Sequence, residues 1–177
     1  MTDLDLASAI LRLSIGATML AHGLNHAFGG GKLAGTASWF ESIGIRPGRL
    51  HALAATVTEV AAGLLLLLGL FTALAAAATV GTMIVAFVAN HRTNGFFIFR
   101  PGEGYEYVLM IAATACAVAA LGAGRVSLDE AIGLQLAGWA GLLIAAGGGL
   151  LGAAGVLSTS WRPGLPAAEP TSAMPPA

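Results

Sequence analysis

The 177-residue chain is 56% apolar and only 10% charged, with a mean hydropathy of +0.81 and a formal net charge of −1. This composition departs from that of soluble domains and is typical of a polytopic membrane protein. The small net charge and the lack of a basic run argue against nucleic acid as a partner. The single cysteine, Cys116, excludes a disulfide or thiol–disulfide exchange within the chain.

Five apolar stretches are long enough to cross a bilayer, because about 20 helical residues span its hydrocarbon core. In chain order, we predict membrane helices at residues 6–28, 50–70, 72–90, 105–121 and 134–157. Asp3 and Asp5 stand where a signal peptide would be basic, so we expect the first segment to remain as a helix. The apolar run from 52 to 89 is too long for one crossing and is expected to turn back at residues 69–72.

The two long connections each carry aromatic residues suited to a membrane interface. Ser38 and Glu41 have the spacing of a capping box, which predicts a short helix that begins there and contains Trp39 and Phe40. The second connection, residues 91–104, contains three phenylalanines, which favour an interfacial position.

The last apolar stretch is rich in glycine. Gly148 and Gly152 have GxxxG spacing, and Gly155 follows them. We expect these three residues to lie against another helix, in this chain or in a partner. Residues 159–177 are rich in Pro and Ala, and we predict a disordered tail there.

The basic residues are distributed unequally between the two ends of the predicted helices. Arg125 lies on one side, and Arg12 lies inside the first helix. The basic residues on the other side are Lys32, Arg46, Arg49, Arg92, Arg100 and Arg162. The positive-inside rule then predicts that both long connections and the C-terminus are cytoplasmic.

Four ionisable residues collect near that cytoplasmic side: His22, His26, Glu59 and Glu106. Because the first two helices run in opposite directions, we expect His22 and Glu59 at similar depths, with His26 one turn further along. Ionisable groups in a membrane usually face the protein interior and often have a function. One interpretation is a hydrogen-bonding pocket for a quinone head group and its protons. In the other, His22 and Glu59 only join two helices, while His26 and Glu106 extend toward water.

A metal site is the weaker interpretation of the same residues. His22 and His26 resemble half of a zinc site, but the sequence has no HExxH motif and no pair of cysteines. A bis-His haem would need a second ligand from another helix, for which His51 and His91 are the options. We therefore predict no metal centre, and we favour a quinone over a haem as the cofactor.

Several segments, in order, resemble the DoxX family of bacterial membrane proteins, whose relatives include the DoxD subunit of thiosulfate:quinone oxidoreductase. The matching segments are Arg12, Leu13, Gly16, His22 and Gly23; Trp39 and Phe40 before Gly44; Glu59, Gly63 and residues 69–72; residues 94–96 and 104–106; and the closing motif at 122–129. The resemblance covers about residues 6–133. It departs from the family at His26, where lysine is common, and in the helix that follows the usual four.

The resemblance implies a four-helix module at residues 1–133 and an additional membrane helix at 134–158. It also implies an accessory subunit in the bacterial inner membrane that is linked to quinone or redox metabolism. The expected partners are membrane lipid and either a protein of a redox complex or a second copy of the chain.

We therefore predict an all-α polytopic membrane bundle that serves as an accessory or anchor subunit of a quinone-linked redox system. His22 would donate to a quinone carbonyl, Glu59 would fix its tautomer or pass a proton, and His26 and Glu106 would lead to water. The alternatives are a purely structural membrane scaffold and a small transporter or proton conductor. Continuous helices count against a transporter.

Overall fold

The computed structural model describes residues 1–164, in which every regular element is helical apart from one isolated bridge between Ile45 and Trp161. The helices are α1 (Asp3–Phe28), α2 (Lys32–Ser42), α3 (Gly48–Leu68), α4 (Thr72–Ala86) with a π-helical extension (Phe87–His91), α5 (Glu106–Leu121), α6 (Leu128–Ala131) and α7 (Gly138–Ser160). The predicted all-α helical bundle is confirmed.

Four helices in the described part of the chain are long and apolar enough to cross a membrane: α1, α3, α4 with its extension, and α7. The protein is accordingly a multi-pass membrane protein. α5 has 16 residues and is shorter than these spans. It still connects the two ends of the bundle, because Tyr107 contacts His91 at one end and Gly122 accepts a hydrogen bond from Ser8 at the other.

The short helix in the first long connection begins earlier than its capping-box pattern predicts. α2 starts at Lys32, and the hydroxyl of Ser38 donates to the carbonyl of Ala34, 3.1 Å away. Ser38 therefore lies inside the helix, and the prediction of a helix start there is wrong. α6 was not predicted from the pattern of apolar residues.

The predicted turn between α3 and α4 lies where it was expected. Gly69 and Phe71 have positive φ angles of 62° and 48°, which place the backbone in the left-handed region and reverse its direction. Asp129 holds the start of α4, since its two carboxylate oxygens accept from the backbone N–H groups of Phe71 (2.7 Å) and Thr72 (2.9 Å). These N–H groups have no partner within the helix, so Asp129 acts as a capping residue contributed by a distant segment.

Arg12 stabilises the same end of the bundle from the side of α1. Its side chain is buried and donates to the carbonyls of Leu66 (3.0 Å) and Val126 (2.7 Å). Arg12 and Asp129 thus connect α1, the α3–α4 turn and the segment before α6.

The other end of the bundle contains both long connections and the end of α7. The indole N–H of Trp161 donates to the carbonyl of Ile43, 3.1 Å away, and the Arg92 guanidinium lies 5.1 Å from the centre of the Trp161 ring. α7 itself continues to Ser160. The remainder of the predicted Pro- and Ala-rich tail, residues 165–177, lies outside the described residues.

α7 packs against α4 most closely at Gly149, next to the predicted GxxxG pair. A Cβ added to Gly149 would lie 2.7 Å from Val80 Cγ1, whereas a Cβ at Gly152 or Gly155 would meet no atom within 4 Å. Gly148 is also in contact, with 3.3 Å to the Cβ of Ala77. Gly152 and Gly155 therefore contact no other helix of the described chain, and their contact with a partner stays a prediction.

Replacing Asp129 with alanine should destabilise the bundle by about 2 kcal/mol or more, because two backbone donors would lose a charged acceptor. The measurement is the midpoint of thermal unfolding in mild detergent. Glu130→Ala is the matched control, since Glu130 is an exposed neighbour. Equal midpoints for the two variants would contradict the capping role of Asp129.

Candidate ligand cavity

A cavity of about 540 Å³ lies among α3, α4 and α7, with α1, α2 and α5 contributing to one end. Its volume falls within the range of small-molecule sites, roughly 300–1,000 Å³. The polar and aromatic side chains around that end are His22, His26, Trp39, Phe40, His51, Thr58, Glu59, Asn90, His91 and Tyr107. All four histidines of the chain thus line one cavity.

Glycines determine how α1 lies against α3. A Cβ at Gly16 would lie 2.9 Å from the Gly63 carbonyl oxygen, and a Cβ at Gly63 would lie 2.7 Å from the Leu20 nitrogen. One turn closer to the cavity, a Cβ at Gly23 would lie 2.8 Å from Val60 Cγ2. These contacts leave no room for larger residues and fix the register of the two helices.

That register places His26 beside Glu59. His26 Nδ1 lies 3.3 Å from Glu59 Oε2, and the two side chains are 16% and 5% exposed. Neither atom has a hydrogen-bond partner among residues 1–164, because the geometry of this approach is not that of a hydrogen bond. A buried polar group without a hydrogen bond is costly, so both atoms are available to a third group in the cavity.

The expected pair of His22 with Glu59 is therefore corrected to His26 with Glu59. The His22 ring instead stacks near that of Tyr107, with centroids 6.5 Å apart and an interplanar angle of 15°. His22 and His26 share one face of α1, and the contact of Gly23 with α3 decides which of them meets the carboxylate.

A second polar pair lies on the other side of the same end of the cavity. His91 is buried, its Nδ1 lies 2.9 Å from the carbonyl oxygen of Glu103, and its Nε2 lies 2.9 Å from the Tyr107 hydroxyl. A carbonyl only accepts, so we assign the Nδ1 proton to that bond. In a neutral ring, Nε2 then accepts from Tyr107.

The π-helical end of α4 supplies three of the lining residues, Ala89, Asn90 and His91. The extension Phe87–His91 ends with Asn90 and His91, and both border the cavity. A π-helical turn changes the direction of the side chains that follow it, and such turns are frequent at functional sites. Tyr107 and Asn90 were not among the residues predicted for the site.

Glu106, the fourth predicted site residue, does not line the cavity. Its Oε2 accepts from the backbone N–H of Ile98, 3.1 Å away, and its own N–H donates to the carbonyl of Phe96. Glu106 therefore holds the second long connection against the start of α5.

The described part of the chain contains no group of three or more His, Cys, Asp or Glu side chains placed to hold a metal ion. The cavity is instead polar at one end and apolar along the rest of its length. This arrangement suits an amphipathic organic molecule.

A family model described as DoxX matches residues 7–92. The match extends from α1 to the end of the π-helical turn and therefore includes His22, His26, Glu59 and His91. α5, α6 and α7 lie outside it. No curated protein and no solved structure gives a significant match.

Replacing Gly23 with leucine should push α1 away from α3, because the added side chain would meet Val60. Overpacking of this kind typically costs about 1–3 kcal/mol, so a lower unfolding midpoint in detergent is expected. Ala21→Leu is the control, since Ala21 is exposed two residues away. If Gly23→Leu unfolds at the same temperature as Ala21→Leu, the close approach of Gly23 on α1 to Val60 on α3 is incorrect.

Proposed function

The chain is a DoxX family protein that crosses the membrane several times, and from this premise we propose that it is an accessory or anchor subunit of a quinone-linked redox system. Its cavity would hold the quinone head group between the His26–Glu59 pair and the His91–Tyr107 pair. A partner subunit would supply or remove the electrons.

The observation that carries this proposal is the burial of Glu59 beside the cavity without a full set of hydrogen bonds. Its carboxylate is buried in an apolar bundle, lines the cavity and has one oxygen without a hydrogen bond. Such a group is expected to face a ligand or a proton path, because leaving it unsatisfied is costly.

The donor and acceptor set fits a quinone head group. The head group presents carbonyl oxygens when oxidised and hydroxyl groups when reduced. His26 can donate to the former, and Glu59 can accept from the latter. A bound quinone would supply electron transfer coupled to protons, and these side chains would orient the ring and hold protons at its oxygens.

A purely structural scaffold is the second candidate, because the approach of His26 to Glu59 also joins α1 to α3. The two candidates differ in what the carboxylate must do. In a scaffold a neutral amide would serve nearly as well, whereas a site that holds protons needs the acid.

Replacing Glu59 with glutamine should leave folding intact and lower the amount of quinone retained by the purified protein by about tenfold or more, because an amide cannot hold or release a proton at a quinone oxygen. The measurement is quinone per protein by chromatography and mass spectrometry, with the unfolding midpoint measured in parallel. Glu106→Gln is the matched control, since Glu106 lies outside the cavity. Equal retention in both variants would favour the scaffold.

We also propose that the protein lies in the bacterial cytoplasmic membrane with both long connections in the cytoplasm. The support is the excess of Lys and Arg at that end of the bundle. In a Cys116→Ala background, Thr93→Cys should react with an impermeant maleimide only after cell permeabilisation, and Glu130→Cys should react in intact cells. Labelling in the reverse order would overturn this orientation.

A further inference from the structure

The cavity extends from its polar end along one face of α4. Most of the lining positions on α4 and its extension recur at helical spacing: Leu74, Ala77, Ala78, Gly81, Thr82, Val85, Ala86, Ala89 and Asn90. From Leu74 to Asn90, this face extends about 24 Å along the helix axis. It therefore runs through most of a hydrocarbon core that is about 30 Å thick.

Small residues on the two flanking helices form the walls of this slot. α3 contributes Ala54 and Ala55, and α7 contributes Gly148 and Gly152. Both helices pack extensively against α4, but within residues 1–164 they do not pack extensively against each other. The slot is consequently open on the side away from α4, and Ala54, Gly148 and Gly152 are exposed along its edges. In a membrane that side would face lipid, because all three helices are long and apolar enough to cross it.

We propose that this slot holds the isoprenoid tail of the quinone lengthwise against α4, and that the quinone enters sideways from the bilayer. This inference rests on the proposed function and adds that the slot selects the ligand by its isoprenoid tail. Two observations carry it together. The slot is apolar and open to lipid, and its polar end contains Glu59 and His26 atoms that have no hydrogen-bond partner.

The depth of Glu59 favours a quinone over a phospholipid. Glu59 lies eleven residues after Gly48, the first residue of α3, which is about 16 Å along the helix. A phospholipid would have to bring a charged head group to this depth, and charge in the hydrocarbon core is costly. A quinone head group is uncharged, so it can reach Glu59 while its tail remains in the slot.

The proposal gives α7 a specific role. This helix lies outside the DoxX match, yet it forms one wall of the slot. Gly149 brings α7 close to α4, whereas the position of Gly152 leaves open space beside the cavity. The segment beyond the family match would therefore determine how well a long tail is held.

The test compares two glycines of α7 that are equally open. A Cβ at Gly152 or at Gly155 meets no atom within 4 Å, but only Gly152 lines the cavity. The full-length protein and its Gly152→Leu and Gly155→Leu variants would be titrated in mild detergent with a long-tailed ubiquinone and with its tail-less head-group analogue. Apparent Kd values follow from the ligand-dependent rise in Tm.

Gly152→Leu should weaken binding of the long-tailed quinone by about tenfold or more, because leucine would fill space needed by the tail. Its affinity for the tail-less analogue should not change. Gly155→Leu should bind both compounds like the unmodified chain. Unchanged long-tail affinity in Gly152→Leu would overturn the slot proposal, as would an equal loss for both compounds.

The same titrations separate failure of this inference from failure of the proposed function. If the unmodified chain binds neither quinone, both are wrong. If it binds both quinones with equal affinity and Glu59→Gln weakens both, the head-group site stands and the tail slot is wrong. One more outcome would overturn the proposal. If the purified chain retains a phospholipid that the long-tailed quinone does not displace, and Gly152→Leu releases that phospholipid, the slot holds an acyl chain.

Discussion

The arrangement of this bundle depends on how it accommodates buried carboxylates in an apolar interior. Asp129 and Glu59 are each only 4% exposed, yet their surroundings differ. Both oxygens of Asp129 accept backbone hydrogen bonds, so its negative charge stabilises the start of α4. Glu59 has His26 nearby, but one oxygen has no hydrogen bond. The fold alone accounts for the partners of Asp129, whereas Glu59 Oε2 can still accept a hydrogen bond from a further group.

The bundle's framework could be predicted from the sequence because it follows from length and hydropathy. The α3–α4 turn is an example, since a glycine at position 69 and the excessive length of the apolar run require a reversal there. The pairing of His26 with Glu59 could not be predicted in the same way. His22 and His26 share a helix face, and the choice between them depends on a helix register that Gly23 sets through contact with Val60.

Two further features of the site depend on local backbone geometry that hydropathy does not encode. The π-helical turn shifts the side chains at its end relative to a regular helix, so the hydrogen bonds of His91 with Glu103 and Tyr107 could not be predicted by counting residues. Glu106 and Tyr107 are adjacent and point about 100° apart around α5. Glu106 was predicted for the site because it is ionisable. In the structure Glu106 holds the second long connection, whereas Tyr107 contacts His91 at the cavity.

An open slot in a membrane protein differs energetically from an empty cavity in a soluble core. Where the slot beside Gly152 opens to the bilayer, lipid chains can occupy it and restore the dispersion contacts that a void would lose. Keeping glycine there therefore costs the fold little. For the same reason, the slot alone does not distinguish a quinone tail from a lipid acyl chain, because both are apolar. Selection of a quinone over lipid must then depend on Glu59 and His26, while the slot excludes molecules whose tails do not fit.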